Sequence, residues 1–184
     1  MKNLLLLFLV SALLPLTTVA QSLRGLDKSP LDIAYFPDNF AHDRKDGEKA
    51  IVKVTYSRPA KNGREVFGQL VPYEKVWRTG ANEATEIKVY QTITLGDKKL
   101  KPGTYSLFTL PGETEWEIIV NKDLDYWGAY SYEPTRDVLR TKVPAGKSDQ
   151  AVENFTIQFK LLGTGKAVMI LAWDKTIVEV PVSF

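Results

Sequence analysis

From residue 50 onward, apolar side chains return at every second position, and no segment sustains the apolar stripe of an amphipathic helix. A period of two places alternate side chains on opposite faces of a pleated strand, so the pattern selects β-structure and excludes a helical bundle. Val52, Val54 and Tyr56 alternate with Lys53 and Thr55. Ile87 and Val89 do the same, as do Trp116, Ile118 and Val120, and then Phe155, Ile157 and Phe159. Val168–Trp173 is a continuous apolar run, expected of a strand at a sheet centre or buried on both faces.

Turn chemistry separates these runs. Gly96-Asp97 reads as a hairpin, Pro102-Gly103 and Pro111-Gly112 as turns, and Asp174-Lys175 as a turn leading into Thr176–Val182. Arg64–Val71 is the best helical candidate, and it is short. Short strands with Pro/Gly turns between them predict an all-β fold, an antiparallel β-sandwich of jelly-roll type, with a closed β-barrel as the alternative. Residues 21–184 are expected to form one domain. Within it, residues 21–49 break periodicity at Ser29-Pro30 and Pro37-Asp38-Asn39, yet carry Leu31, Ile33, Tyr35, Phe36 and Phe40. That mixture predicts an extended N-terminal arm packed along the domain.

Residues 1–20 read as a secretory signal peptide. Lys2 gives a positive start, Leu4–Leu14 is apolar apart from Ser11, and Thr18-Val19-Ala20 supplies small residues for cleavage. The run is shorter than the ~20 residues a spanning helix needs, and Pro15 interrupts it. The expectation is an exported protein, periplasmic or extracellular, that does not insert in a membrane once the leader is gone.

Composition narrows the chemistry. The 184 residues include no cysteine and one histidine, which excludes disulfides, thiolate metal sites, thiol catalysis and multi-histidine metal centres. Lys and Arg number 24 against 22 Asp and Glu, so nothing marks the chain for nucleic acid. His42 has no nucleophile near it in sequence, and Gly146-Lys147-Ser148 lacks the earlier glycine of a phosphate loop. No cofactor loop and no metal-ligating pattern is expected.

What remains is one polar-aromatic stretch and one aromatic cluster. Arg58, Arg64 and Arg78 could converge on a carboxylate or phosphate through their planar forks, with Asn82 orienting the ligand and Glu83 beside them. Trp77 or Trp127 could stack on it, with Tyr130 in the run Trp127–Tyr132. The competing reading has Arg58 and Arg78 pairing with Glu83 or Glu86 to hold a long crossover in place, and the aromatics plugging a sheet end. Glu113, Glu115 and Glu117 share a period-two pattern that reads as a solvated sheet face.

The same residues carry a family resemblance. Tyr56-Ser57-Arg58-Pro59, Leu70-Val71-Pro72-Tyr73, Val76–Thr85, Pro102–Leu107, Trp127-Gly128-Ala129-Tyr130 and Leu171-Ala172-Trp173 together resemble the domain of unknown function 2911 family. Leu26-Asp27-Lys28-Ser29-Pro30 belongs to the same pattern. The resemblance implies an exported bacterial protein organised as one domain, and brings no catalytic residue to any position. Three functions then compete: a binding module for a small anionic or sugar-like ligand of the cell envelope, a structural domain whose partner is an envelope protein, and an enzyme using Glu83 as acid or base beside arginine.

Overall fold

The computed structural model describes residues 22–184, so the signal-peptide reading of residues 1–20 lies outside the described part. Nine strands run β1 Leu31–Phe36, β2 Val52–Ser57, β3 Thr85–Val89, β4 Ile93–Leu95, β5 Lys98–Leu100, β6 Gly103–Pro111, β7 Glu115–Asn121, β8 Asp137–Gly163 and β9 Lys166–Ser183. All pair antiparallel in one sheet, in the order β1-β2-β3-β6-β7-β8-β9-β4-β5. The all-β expectation holds, and the barrel alternative does not form, because β1 and β5 remain as free edges. The two layers of the expected sandwich are two halves of a single sheet.

The long strand β8 makes this possible. Its first part, through Pro144, pairs with β7, and from Ala145 onward it pairs with β9. The sheet therefore continues through β8 from one half into the other. The alternating residues found in sequence face inward: Val52, Val54, Ile87, Ile118, Val120, Phe155, Ile157 and Leu171 are all buried in one core. Phe36 of β1 meets Phe159 of β8 at 5.8 Å between ring centres, and Tyr56 of β2 meets Phe155 edge-on at the same distance.

A polar seam ties the chain after β2 to β8. Tyr56 donates its hydroxyl to the Ile157 carbonyl and accepts from the Ile157 amide, at 3.1 and 3.0 Å. The Phe155 amide donates to the Pro59 carbonyl, and the Lys61 amide to Glu153. A ladder of this kind satisfies backbone groups that burial would otherwise leave costly.

The structure corrects two local readings. Asp174-Lys175 is not a turn: β9 runs straight through it, with Asp174 at φ 52° absorbing a register shift opposite Val152. Lys61 forms an ion pair with Asp174 at this point. Arg64–Val71 is not helical but a set of turns that buries Val66, Phe67 and Val71. The segment read as an arm contributes a true edge strand, β1, paired along its whole length with β2. The Gly96-Asp97 hairpin forms as expected between β4 and β5. Gly96 sits at φ +62°, and an added Cβ would lie 2.3 Å from Thr141 Oγ1, so only glycine fits.

A smaller cluster lies outside this core. Phe108 and Ile119 are wholly buried beneath Tyr126, Ala129 and Tyr132, which come from the segment after β7. The aromatic run is therefore part plug and part display. Tyr132 stacks edge-on against Phe108 at 5.1 Å, while Trp127 and Tyr130 are 61% and 85% exposed.

Candidate functional site

The loop between β2 and β3 carries most of the candidate residues, and its geometry is tightly set. Trp77 pairs with Thr109 of β6 by two backbone hydrogen bonds of 2.7 and 2.9 Å. Its ring lies over Trp173 of β9, 5.9 Å away and nearly parallel, and its indole N–H donates to the Gly80 carbonyl at 3.1 Å. Gly80 approaches the chain closely, since a Cβ there would stand 3.0 Å from the Ser57 carbonyl oxygen. Between them Thr79 is wholly buried at φ 56°. A β-branched residue in that conformation carries about 1–3 kcal/mol of strain, which surrounding contacts must offset. Its hydroxyl contacts Thr109 Oγ1 at 3.1 Å, and its carbonyl accepts from Thr85 Oγ1 at 2.6 Å.

The second candidate run docks on this loop. Glu83 and Trp127 form an antiparallel bridge, the Gly128 amide donates to the Asn82 carbonyl, and the Ala84 amide donates to Tyr126. Two stretches far apart in sequence thus make one surface.

The three arginines do not converge. Arg58 is spent on the seam: Nη1 donates to Asp32 Oδ2 at 2.8 Å, Nε to the Phe155 carbonyl at 3.1 Å and Nη2 to Thr156 Oγ1 at 2.9 Å. Arg64 caps its own turn through the Lys61 and Ala60 carbonyls, using two of its donors. Arg78 is different. It is half-buried, its Nε is wholly shielded from solvent, and that N–H has no hydrogen-bond partner among the described residues. Burial lowers the proton affinity of its guanidinium, with Tyr130 nearby opposing the shift. An arginine nonetheless stays cationic at neutral pH. The pairing of Arg58 or Arg78 with Glu83 or Glu86, expected if these groups only braced the crossover, does not occur.

Arg78 borders a cavity of about 390 Å³ that it shares with Arg64, Lys75, Asn82, Ser29 and the edge of Trp77. Leu70, Pro72 and Val76 supply an apolar wall. Three cationic side chains line this space, and none of the described residues around it is a carboxylate. Trp77 itself is 8% exposed and belongs to the core, so it forms the floor and is no open stacking platform. Of the residues singled out in the sequence, Arg64, Trp77, Arg78 and Asn82 line this cavity; Lys75 and Ser29 line it as well and are not among them. Lys75 was within reach of a simple charge count along the same loop.

Asn82 also lines a second cavity of about 490 Å³, together with Glu83, Glu86, Asp27, Arg24 and Trp127. The Asn82 side-chain amide donates to Asp27 Oδ1 at 2.9 Å, and the Ser29 backbone N–H donates to the same oxygen at 2.7 Å. These bonds hold the Asp27 carboxyl below the usual carboxylate range, the Ser29 amide contributing most. Glu83 is exposed and faces this second space, not the cavity of Arg64 and Arg78. Glu83 therefore does not share a cavity with Arg64 or Arg78, and the arginine that lines its space is Arg24.

Among the described residues no cluster of His, Asp or Glu is arranged to hold a metal ion, and no helix is long and apolar enough to cross a membrane.

Fold and site together define an all-β protein with a cation-lined pocket in the β2–β3 loop. Residues 38–182 match the family model described as "Protein of unknown function (DUF2911)", and the chain belongs to that family. The chain matches no curated protein and no solved structure.

Proposed function

We propose that the protein binds a small anionic ligand in the Arg64/Lys75/Arg78 cavity. The observation that supports this is Arg78, which lines a cavity holding three cations and no carboxylate and whose guanidinium makes no hydrogen bond or ion pair with the described residues. Polar groups in folded proteins are rarely left without partners, so a half-buried guanidinium that the chain itself does not pair leaves its donors for an acceptor from outside. Desolvating a guanidinium is costly, and an anion offsets that cost by a charge-assisted, two-pronged contact. Asn82 and Ser29 add polar groups that orient a bound acid, and Leu70, Pro72 and Val76 give its apolar part a wall. In this cavity the sugar-like alternative is less well supported, because Trp77 offers no open face and the exposed Trp127 lines the neighbouring cavity instead. The leader-like pattern of residues 1–20 supports export, which makes the ligand one met in the cell envelope or outside it.

Isothermal titration with inorganic phosphate, acetate and succinate tests the reading. Saturable binding of at least one is expected, weakening as ionic strength rises. Absence of binding for all three overturns it.

A further inference from the structure

The two cavities adjoin at shared lining residues and carry opposite charge. Ser29 and Asn82 line both. On one side stand Arg64, Lys75 and Arg78 without a carboxylate. On the other stand Glu83, Glu86 and Asp27 against the single cation Arg24. Asp27 is engaged with Asn82 and Ser29, but no ion pair among the described residues engages Glu83 or Glu86. The exposed ring of Trp127 borders the same acidic cleft, and an indole face attracts an ammonium group. A simple anion would use only half of this arrangement.

We infer that the ligand is a zwitterion, a free amino acid or short peptide, with its carboxylate at Arg78 and its ammonium in the cleft of Glu83, Glu86 and Trp127. The inference rests on the anion-binding reading of the Arg78 cavity and adds the second half of the site. Asn82 stands where the two spaces meet, so its amide lies alongside the part of the ligand that joins the two charged ends. Its left-handed backbone (φ 58°) and its bond to Asp27 fix that position. The ligand's charges are separated, and each end meets groups of the opposite sign. An N-blocked peptide would lose the acidic half, and a C-amidated one the basic half.

The test is titration with a series running from alanine itself to its peptides of two to four residues, each in free, N-acetylated and C-amidated form and all counted as peptides. At least one free peptide is expected to bind, and acetylation is expected to weaken it by about tenfold or more. In a Glu83→Gln/Glu86→Gln double variant, with folding verified by its melting curve, the free and acetylated forms should bind alike. Amidation should remove binding to the unaltered protein. If acetylated and free peptides bind equally and amidation alone is harmful, the zwitterion inference falls while the anion pocket stands. If no peptide binds but phosphate or a carboxylate does, the result is the same. If neither peptides nor simple anions bind, both readings fall.

Discussion

Arg58 and Arg78 come from one stretch of sequence and occupy two kinds of surroundings. Arg58 spends its guanidinium on Asp32, Phe155 and Thr156, and in doing so fastens β1, the end of β2 and β8 to one another. Arg78 lies at a cavity wall with its shielded Nε–H unmatched. Arginine's fork serves both purposes, so residue type alone does not distinguish them. What distinguishes them is whether the protein itself supplies the acceptors. A fully matched arginine braces the fold, and under the proposed function the unmatched one at a cavity is left for a ligand.

The comparison can be broken at its base by removing what holds both regions in place. Trp77 packs on Trp173, Trp116, Phe67 and Phe155 beneath the Arg78 loop. Trp77→Ala should cost about 3–5 kcal/mol in chemical denaturation, because the cavity it leaves cannot collapse among rigid rings. A loss below about 1 kcal/mol would show that the floor of the pocket is not part of the core. Arg58→Ala should cost less, about 2 kcal/mol, since three bonds are lost at a partly exposed site where solvent screens the ion pair. Arg58→Lys should not restore it, because an ammonium cannot reach three acceptors as a planar fork does. Anion binding should persist in either Arg58 variant that folds, and its disappearance would merge the two regions that the account keeps apart.

The strands were largely legible because their signal is local. Val52-Val54-Tyr56 and Phe155-Ile157-Phe159 alternate so plainly that burial of one face follows. The continuity of β8 and β9 was not legible. Asp174-Lys175 has turn chemistry, and only the pairing with β8 and the ion pair from Lys61 show that the sheet takes up the irregularity as a bulge. Arg64–Val71 has helical spacing at Val66, Phe67, Leu70 and Val71, but tertiary packing buries Val66, Phe67 and Val71 from a series of turns and leaves Leu70 exposed. The site was legible as a list of residues and not as a set of roles. The acceptors that commit Arg58 lie at Asp32 and at Phe155 and Thr156, far off in sequence. The docking of Trp127 and Gly128 onto Glu83 and Asn82 is equally non-local. Lys75 and Ser29 gained meaning only when the loop closed around the cavity.

The most direct test of the central claim is the melting temperature of Arg78→Met, with and without whichever of phosphate, acetate or succinate titrates the wild-type protein. Methionine keeps much of the apolar stem and removes the desolvated charge. The account predicts a melt within about 1 kcal/mol of wild type, on the stable side if anything, because no internal bond is lost. It also predicts that the anion-induced upward shift disappears; in the wild-type protein that shift should reach about 2.7 kcal/mol at a hundredfold excess over the dissociation constant. A variant as destabilised as Arg58→Ala, or one that still melts higher with anion, would contradict the account.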